Sequence, residues 1–128
     1  MSNVLITGGA GFLGHHLVEY LLDNTQHHLI LLDRIDESSN LNRLSDLPNW
    51  YDNRHRISFI WHDLKAEIND SVRNQIEDPD YILHIAAGSH VDRGNADPML
   101  FVMDNVVGTC NILNYARKIS RLKNSIYF

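Results

Sequence analysis

The sequence predicts an α/β protein built on a doubly wound parallel sheet, and three observations carry that prediction. Short apolar runs alternate with stretches of helical periodicity along all 128 residues. A glycine-rich turn, Thr7-Gly8-Gly9-Ala10-Gly11-Phe12-Leu13-Gly14, joins the first run to the first helical stretch. An acid, Asp33, closes the next apolar run about twenty residues further on.

Asn3 to Thr7 reads as a short buried strand. From Phe12 to Asp23, Leu13, Leu17 and Leu21 recur at helical spacing with Val18 and Leu22 beside them, which predicts a helix directly after the turn. Leu29 to Leu32 forms a second strand ending at Asp33. Arg34 to Arg56 is polar and predicts a loop with a minor helix around Leu41, Leu44 and Leu47. Ile57 to Trp61 is a third strand, followed by Asp63-Leu64 and a modest helix from about Ala66 to Ile76, with Pro79 ending that segment. In the fourth strand, Asp80 to Ala87, the residues Tyr81, Ile82, Leu83 and Ile85 are too continuously apolar for an exposed edge; they suit a central strand covered on both faces. Gly88 to Ala96 is a loop.

Asp97 as N-cap and Pro98 at the first helical position open the longest helix, which ends near Arg121 and carries Met99, Val102, Val106, Leu113 and Ala116 along one face. Ser125 to Phe128 begins a fifth strand, whose apolar end would leave a sheet edge uncovered. Right-handed crossovers then give a Rossmann-like sheet of order 3-2-1-4-5, a single domain over residues 1–128.

In such a sheet the carboxyl ends of the strands share one rim, so the glycine turn, Asp33, Asp63, Ala86-Ala87 and the Ser89-His90 loop converge on one crevice. Gly8 permits the tight turn, Gly11 leaves room for a pyrophosphate, and Gly14 lets the helix pack closely, while the helix N-terminus offers free N–H groups and partial positive charge. The Asp33 carboxylate is placed to accept hydrogen bonds from both hydroxyls of an adenosine ribose and to repel a 2′-phosphate, which favours NAD over NADP. Arg34 beside it pulls the other way, because a guanidinium pairs well with phosphate. Asp63 is placed to meet an adenine amino group, with Leu64 packing the ring.

Composition narrows the alternatives. With 44% hydrophobic and 21% charged residues the chain is an ordinary globular protein. A formal charge of −5 and dispersed basic residues, Arg54 and Arg56 being the nearest approach to a cluster, argue against nucleic-acid binding. No apolar run approaches the roughly eighteen residues of a membrane span, and no signal peptide precedes the first strand, so the expected setting is cytoplasmic without membrane association. Cys110 falls inside a helical pattern and is expected to be a small buried hydrophobe. The eight histidines do not converge at metal-ligand spacing, so no metal site is expected, and His84 is expected to be a hydrogen-bonded core residue.

Taken together, these residues resemble the extended short-chain dehydrogenase/reductase family, specifically its NAD-dependent nucleotide-sugar epimerases and 4,6-dehydratases. The resemblance runs the whole length. Its most specific part is Ala86-Ala87-Gly88-Ser89-His90-Val91-Asp92-Arg93, followed by Asp97-Pro98 and Asn105-Val106-Val107-Gly108-Thr109. This points to the dehydratases, since sister epimerases rarely carry the Ser-His-Val-Asp-Arg run. The resemblance implies that Phe12, Leu13, Asp33, Arg34, Ile35, Asp36, Asp63, Leu64, Ile85, Ala86, Ala87, Gly88 and Ser89 touch NAD. It further implies that Ser89 and His90 face a nucleotide-sugar substrate, and that the full-length parent is a homodimer packed through the long helix. The family reaction oxidises the sugar at C4, eliminates water across C5 and C6, and returns the hydride to C6.

The chain departs from the dehydratase pattern in three places: Gly88 replaces an acid, Gly94 a serine, and Asp104 a threonine that meets the cofactor. The family's catalytic tyrosine, followed four residues later by a lysine, is also missing. Tyr20, Tyr51, Tyr81 and Tyr115 are followed at that spacing by Asn24, His55, Ile85 and Ile119, and Tyr127 by Phe128 alone. The expectation is therefore the cofactor half of a dehydratase, truncated before its catalytic segment and inactive by itself. A part of a 4-epimerase and a stand-alone NAD-binding module are the alternatives.

Overall fold

The computed structural model describes residues 1–128. Five parallel strands, β1 (Asn3–Thr7), β2 (His28–Asp33), β3 (Ile57–Trp61), β4 (Tyr81–His84) and β5 (Asn124–Tyr127), form one sheet in the order β3-β2-β1-β4-β5. That is the predicted order. Its chain reversal falls between β1 and β4, where the loops leaving the two strands diverge and open a crevice.

The helices are α1 (Phe12–Asn24), α2 (Asn42–Ser45), α3 (Trp50–Asn53), α4 (Asp70–Ile76), α5 (Val91–Ala96), α6 (Pro98–Phe101) and α7 (Gly108–Ala116). Alternate strand residues serve opposite faces of the sheet. Leu5, Ile30, Leu32, Ile60 and Ile82 pack with Ile76 of α4 and with Ile112, Tyr115 and Ala116 of α7. Val4, Ile6, Leu29, Leu31 and Ile57 pack with Val18 and Leu22 of α1 and Leu44 of α2. No helix is long and apolar enough to cross a membrane.

Several boundaries differ from the periodicity. The helix expected from Ala66 starts at Asp70, because the Asn69 side chain accepts the Val72 N–H and caps it there. The loop expected at Gly88–Ala96 contains α5, held by the Gly94 N–H on the His90 carbonyl. Asp97 does cap the following helix, its carboxylate accepting the Leu100 N–H. That helix is not uniform, however: Val102–Val107 between α6 and α7 is π-helical, the Gly108 N–H reaching back five residues to the Met103 carbonyl.

The expected apolar stripe also turns outward. Met99, Val102, Val106 and Leu113 are exposed, and only Ala116 is buried. Ile112, Tyr115, Ala116 and Ile119 set the rotation of α7 instead, which leaves Leu113 one residue further round the helix. Cys110 is exposed for the same reason, and the expectation that it is buried is corrected. β4 buries Ile82 and His84 but leaves Tyr81 and Leu83 half-buried, and β5 is the edge, with Phe128 71% exposed beyond it.

His84 is the core residue expected. Its Nδ1 lies 2.7 Å from the Thr7 hydroxyl and its Nε2 lies 3.0 Å from that of Thr109. The Thr7 oxygen already accepts the Ile85 and Ala86 N–H groups, so its proton points to Nδ1 and the ring donates through Nε2 to Thr109. Burial lowers the His84 pKa below 6.5, in keeping with this neutral tautomer. The unfolded chain therefore takes up a proton that the fold refuses, and stability falls as pH drops below about 6.5. The melting temperature should be lower at pH 5.5 than at pH 7.5, and His84→Gln should flatten that dependence. An unchanged slope in the variant would place the acid sensitivity elsewhere.

Candidate functional site

The turn after β1 is held by backbone. Gly8 adopts φ 76°, and a Cβ there would lie 3.0 Å from the backbone N and Cα of Ala86, so the loops leaving β1 and β4 touch main chain to main chain. The Gly8 N–H bonds the Leu32 carbonyl at 2.8 Å, and the Ala86 N–H bonds that of Thr7 at 3.1 Å. Three strand ends are thereby fixed relative to one another.

Helix α1 starts on this platform. Gly11 is extended, no side chain caps the helix, and its first turn contains no acid. The N–H groups of Phe12, Leu13 and Gly14 find no acceptor within the chain, which leaves donors and the positive end of the helix dipole open beside the crevice. Phe12 and Leu13 are 71% and 54% exposed beside the crevice, the Phe12 ring lying edge-on to His15 and His16.

Asp33, 6% exposed, ties two loops together. Oδ2 accepts the Ala10 N–H at 3.0 Å, and Oδ1 accepts the Ile35 N–H at 2.9 Å and the Ser39 hydroxyl at 3.0 Å. The bond from the Ile35 N–H holds that residue at φ 51°, a left-handed backbone that costs a β-branched residue energy. A carboxylate has about four acceptor sites, so these three bonds leave Asp33 roughly one free toward the crevice.

Arg34 spans the rim. Its Nη1 and Nη2 donate to Asp104 Oδ1 and Oδ2 at 2.6 and 3.0 Å, and its Nε donates to Asp36 Oδ2 at 2.8 Å. The hydrogen bonds to Asp104, with those to Asp36, outweigh the cost of burial and hold the guanidinium pKa above its usual range. Burial raises the Asp36 carboxyl, but bonds from the Ser38 hydroxyl and N–H and from Arg34 bring it below the usual carboxylate range.

The opposite wall comes from β3 and the helical stretch after Pro98. Asp63 accepts the Lys65 N–H at 3.0 Å and lies 3.7 Å from Arg34 Nη1. Leu64 is fixed by its carbonyl, which accepts from Asn111 Nδ2 at 2.6 Å, and by its packing against the core cluster that includes Ile60 and Ile112. Asn105 clamps Gly88 on both sides, accepting its N–H at 2.7 Å and donating to its carbonyl at 3.0 Å. Asp104 and Asn105, neighbours in the π-helical turn, thus hold two different loops, one through Arg34 and the other through Gly88.

The crevice has a volume of about 300 Å³, the lower end for small-molecule sites. Gly8, Gly11, Phe12, Leu13, Gly14, Asp33, Arg34, Asp36, Asp63, Leu64, Ile85, Ala86, Ala87 and Ser89 line it. Gly88 and Ile35 stand behind the wall as supports, and His90 is exposed at the start of α5, outside the crevice. Ser38, Ser39, His62 and Lys65 also line it and were not singled out from the sequence. The strand-end rule that selects Asp63 and Leu64 reaches His62 and Lys65 equally. Nothing local marks the two serines.

The sheet order, the glycine turn and the open helix terminus at the switch point make this a Rossmann-like α/β domain. A family model described as GDP-mannose 4,6 dehydratase matches residues 5–128, and the chain belongs to that family, within the epimerase/dehydratase group. It is 39% identical over 117 residues to dTDP-glucose 4,6-dehydratase of Salmonella typhimurium, covering 90% of this chain and 31% of that protein. It is also 39% identical over 118 residues to the enzyme of the same name from Neisseria gonorrhoeae, covering 91% and 32%. Among solved structures, DesIV of Streptomyces venezuelae, a dTDP-glucose 4,6-dehydratase with NAD bound, superposes with a TM-score of 0.82 at 31% identity, over 96% of this chain and 38% of that one. A UDP-glucose-4-epimerase from Stenotrophomonas maltophila, at 21% identity and TM-score 0.83 over 99% and 36%, shares the fold. The chain thus spans about a third of the length of these relatives.

Proposed function

We propose that residues 1–128 are the NAD-binding part of a nucleotide-sugar 4,6-dehydratase. The observation that carries this reading is the uncapped N-terminus of α1, whose open amides lie across one crevice from the Asp33 carboxylate. Gly8, Gly11 and Gly14 give the pyrophosphate its approach to the Phe12 and Leu13 amides. Asp33 takes the adenosine ribose, with Arg34, Ile35 and Asp36 shaping that end. Asp63 and Leu64 hold the adenine. Ile85, Ala86, Ala87, Gly88 and Ser89 run beneath the nicotinamide half, and Ser89 and His90 face the sugar nucleotide.

NAD, when bound, supplies a hydride acceptor that is restored within one cycle. The residues present here bind and orient it, and Asn105 keeps the Gly88–Ser89 backbone in place beside the reacting end. The parent is a cytoplasmic homodimer, and the exposed stripe Met99, Val102, Val106 and Leu113 is the surface open to that packing.

Isothermal titration of the purified chain should show NAD binding. A folded chain that takes up no NAD at millimolar concentration would end this reading. No side chain of the Tyr-x-x-x-Lys pair is present to remove the substrate proton, so the same chain, given NAD and a nucleotide sugar, should form no 4-keto-6-deoxy product. Measurable product would refute that part of the proposal.

A further inference from the structure

Arg34, directly after the ribose acid Asp33, is the cation best placed to welcome a 2′-phosphate, and its donors are already committed. Asp104 takes the two terminal nitrogens as a fork, at 2.6 and 3.0 Å, and Asp36 takes the remaining edge through Nε at 2.8 Å and Nη2 at 2.7 Å. Asp63 adds a third carboxylate 3.7 Å from Nη1. Both members of the fork are largely shielded, with 13% of the Asp104 side chain and 29% of the Arg34 side chain exposed, so solvent screens the pair weakly.

We propose that Asp104 is a specificity-determining residue, which by occupying the Arg34 fork withholds that guanidinium from a 2′-phosphate and sets the crevice for NAD over NADP. The inference rests on the dinucleotide reading above and adds to it a residue 70 positions away from Arg34 in sequence. The physical argument is one of competition. A planar guanidinium pairs bidentately with either a carboxylate or a phosphate, but one edge cannot serve both. Asp36, Asp63 and Asp104 place three carboxylates around one guanidinium, so a phosphate entering here meets net negative charge. Removing the Asp104 charge both frees the fork and lowers that repulsion. Asp33 alone, by contrast, would leave discrimination unchanged when position 104 is altered.

The test is titration of NAD and NADP into the 128-residue chain and its D104N, D104T and R34M/D104N variants, with a thermal melt to establish folding of each. The ratio of NADP to NAD dissociation constants should fall about tenfold in D104N and D104T, the scale of one additional charge-assisted bidentate pair. It should return towards the wild-type ratio in R34M/D104N, and the shift should shrink with added salt. Wild-type NAD binding with an unchanged ratio in both single variants, or a shift that survives loss of Arg34, overturns the role of Asp104 and leaves the NAD reading standing. No NAD binding by the folded wild-type chain overturns both.

Discussion

Gly14→Ala is expected to destabilise the protein by about 3 kcal/mol and to abolish the crevice in its present form. A Cβ at this position would fall well inside van der Waals contact of the Gly8 carbonyl oxygen, and 2.9 Å from Gly8 C and Gly9 Cα. These are backbone atoms of the turn itself, pinned by the Gly8 bond to Leu32 and by the Ala10 bond to Asp33, so no rotamer change relieves the clash. Helix α1 must move away from the turn, carrying its open amides with it. The melting temperature should drop on the order of 10 °C. Gly11→Ala is the control: its Cβ meets only the Gly8 oxygen at 3.2 Å, in an extended backbone that alanine adopts, and should cost under about 1 kcal/mol. A Gly14→Ala protein that melts within about 2 °C of wild type would show that the turn yields more easily than its hydrogen bonds imply.

Arg56→Ala should be comparably costly at the other end of the sheet. The guanidinium, 6% exposed, donates to the carbonyls of Leu22, Thr25 and His27 and to Asn53 Oδ1, at distances from 2.7 to 3.3 Å. Those carbonyls lie where α1 ends and β2 begins, so a cation there satisfies orphaned acceptors and the negative end of the helix dipole together. Truncation strands several buried oxygens, at a cost of about 3 kcal/mol by urea denaturation. Arg56→Lys should recover only part of it, because an ammonium cannot span three carbonyls in one plane. NAD affinity of the folded fraction should be retained, since this staple lies opposite the crevice. A loss under about 1 kcal/mol would mean that water replaces the guanidinium at little cost.

Arg56 also shows where sequence reading stops. In the chain it is one of two nearby arginines, significant only as the nearest approach to a basic cluster. In the fold it is a buried structural staple whose three carbonyl partners lie 29 to 34 residues away. The outward turn of Met99, Val102, Val106 and Leu113 has the same origin: helical periodicity names two faces, and packing on the sheet chooses between them.

What residues 1–128 determined without any coordinates is the parallel sheet of order 3-2-1-4-5, the glycine turn that opens α1, and the acid ending β2. Each is written in neighbouring residues, through apolar period, turn chemistry and strand-to-helix spacing, and chain connectivity then permits few arrangements. The tertiary structure alone decided that Asp33 reaches back to the Ala10 N–H, that Asn105 holds Gly88, and that Asp104 closes on Arg34. Those partners lie 17 to 70 residues apart in the chain, so each pairing depends on where the fold sets distant segments, and that has no local signature in sequence.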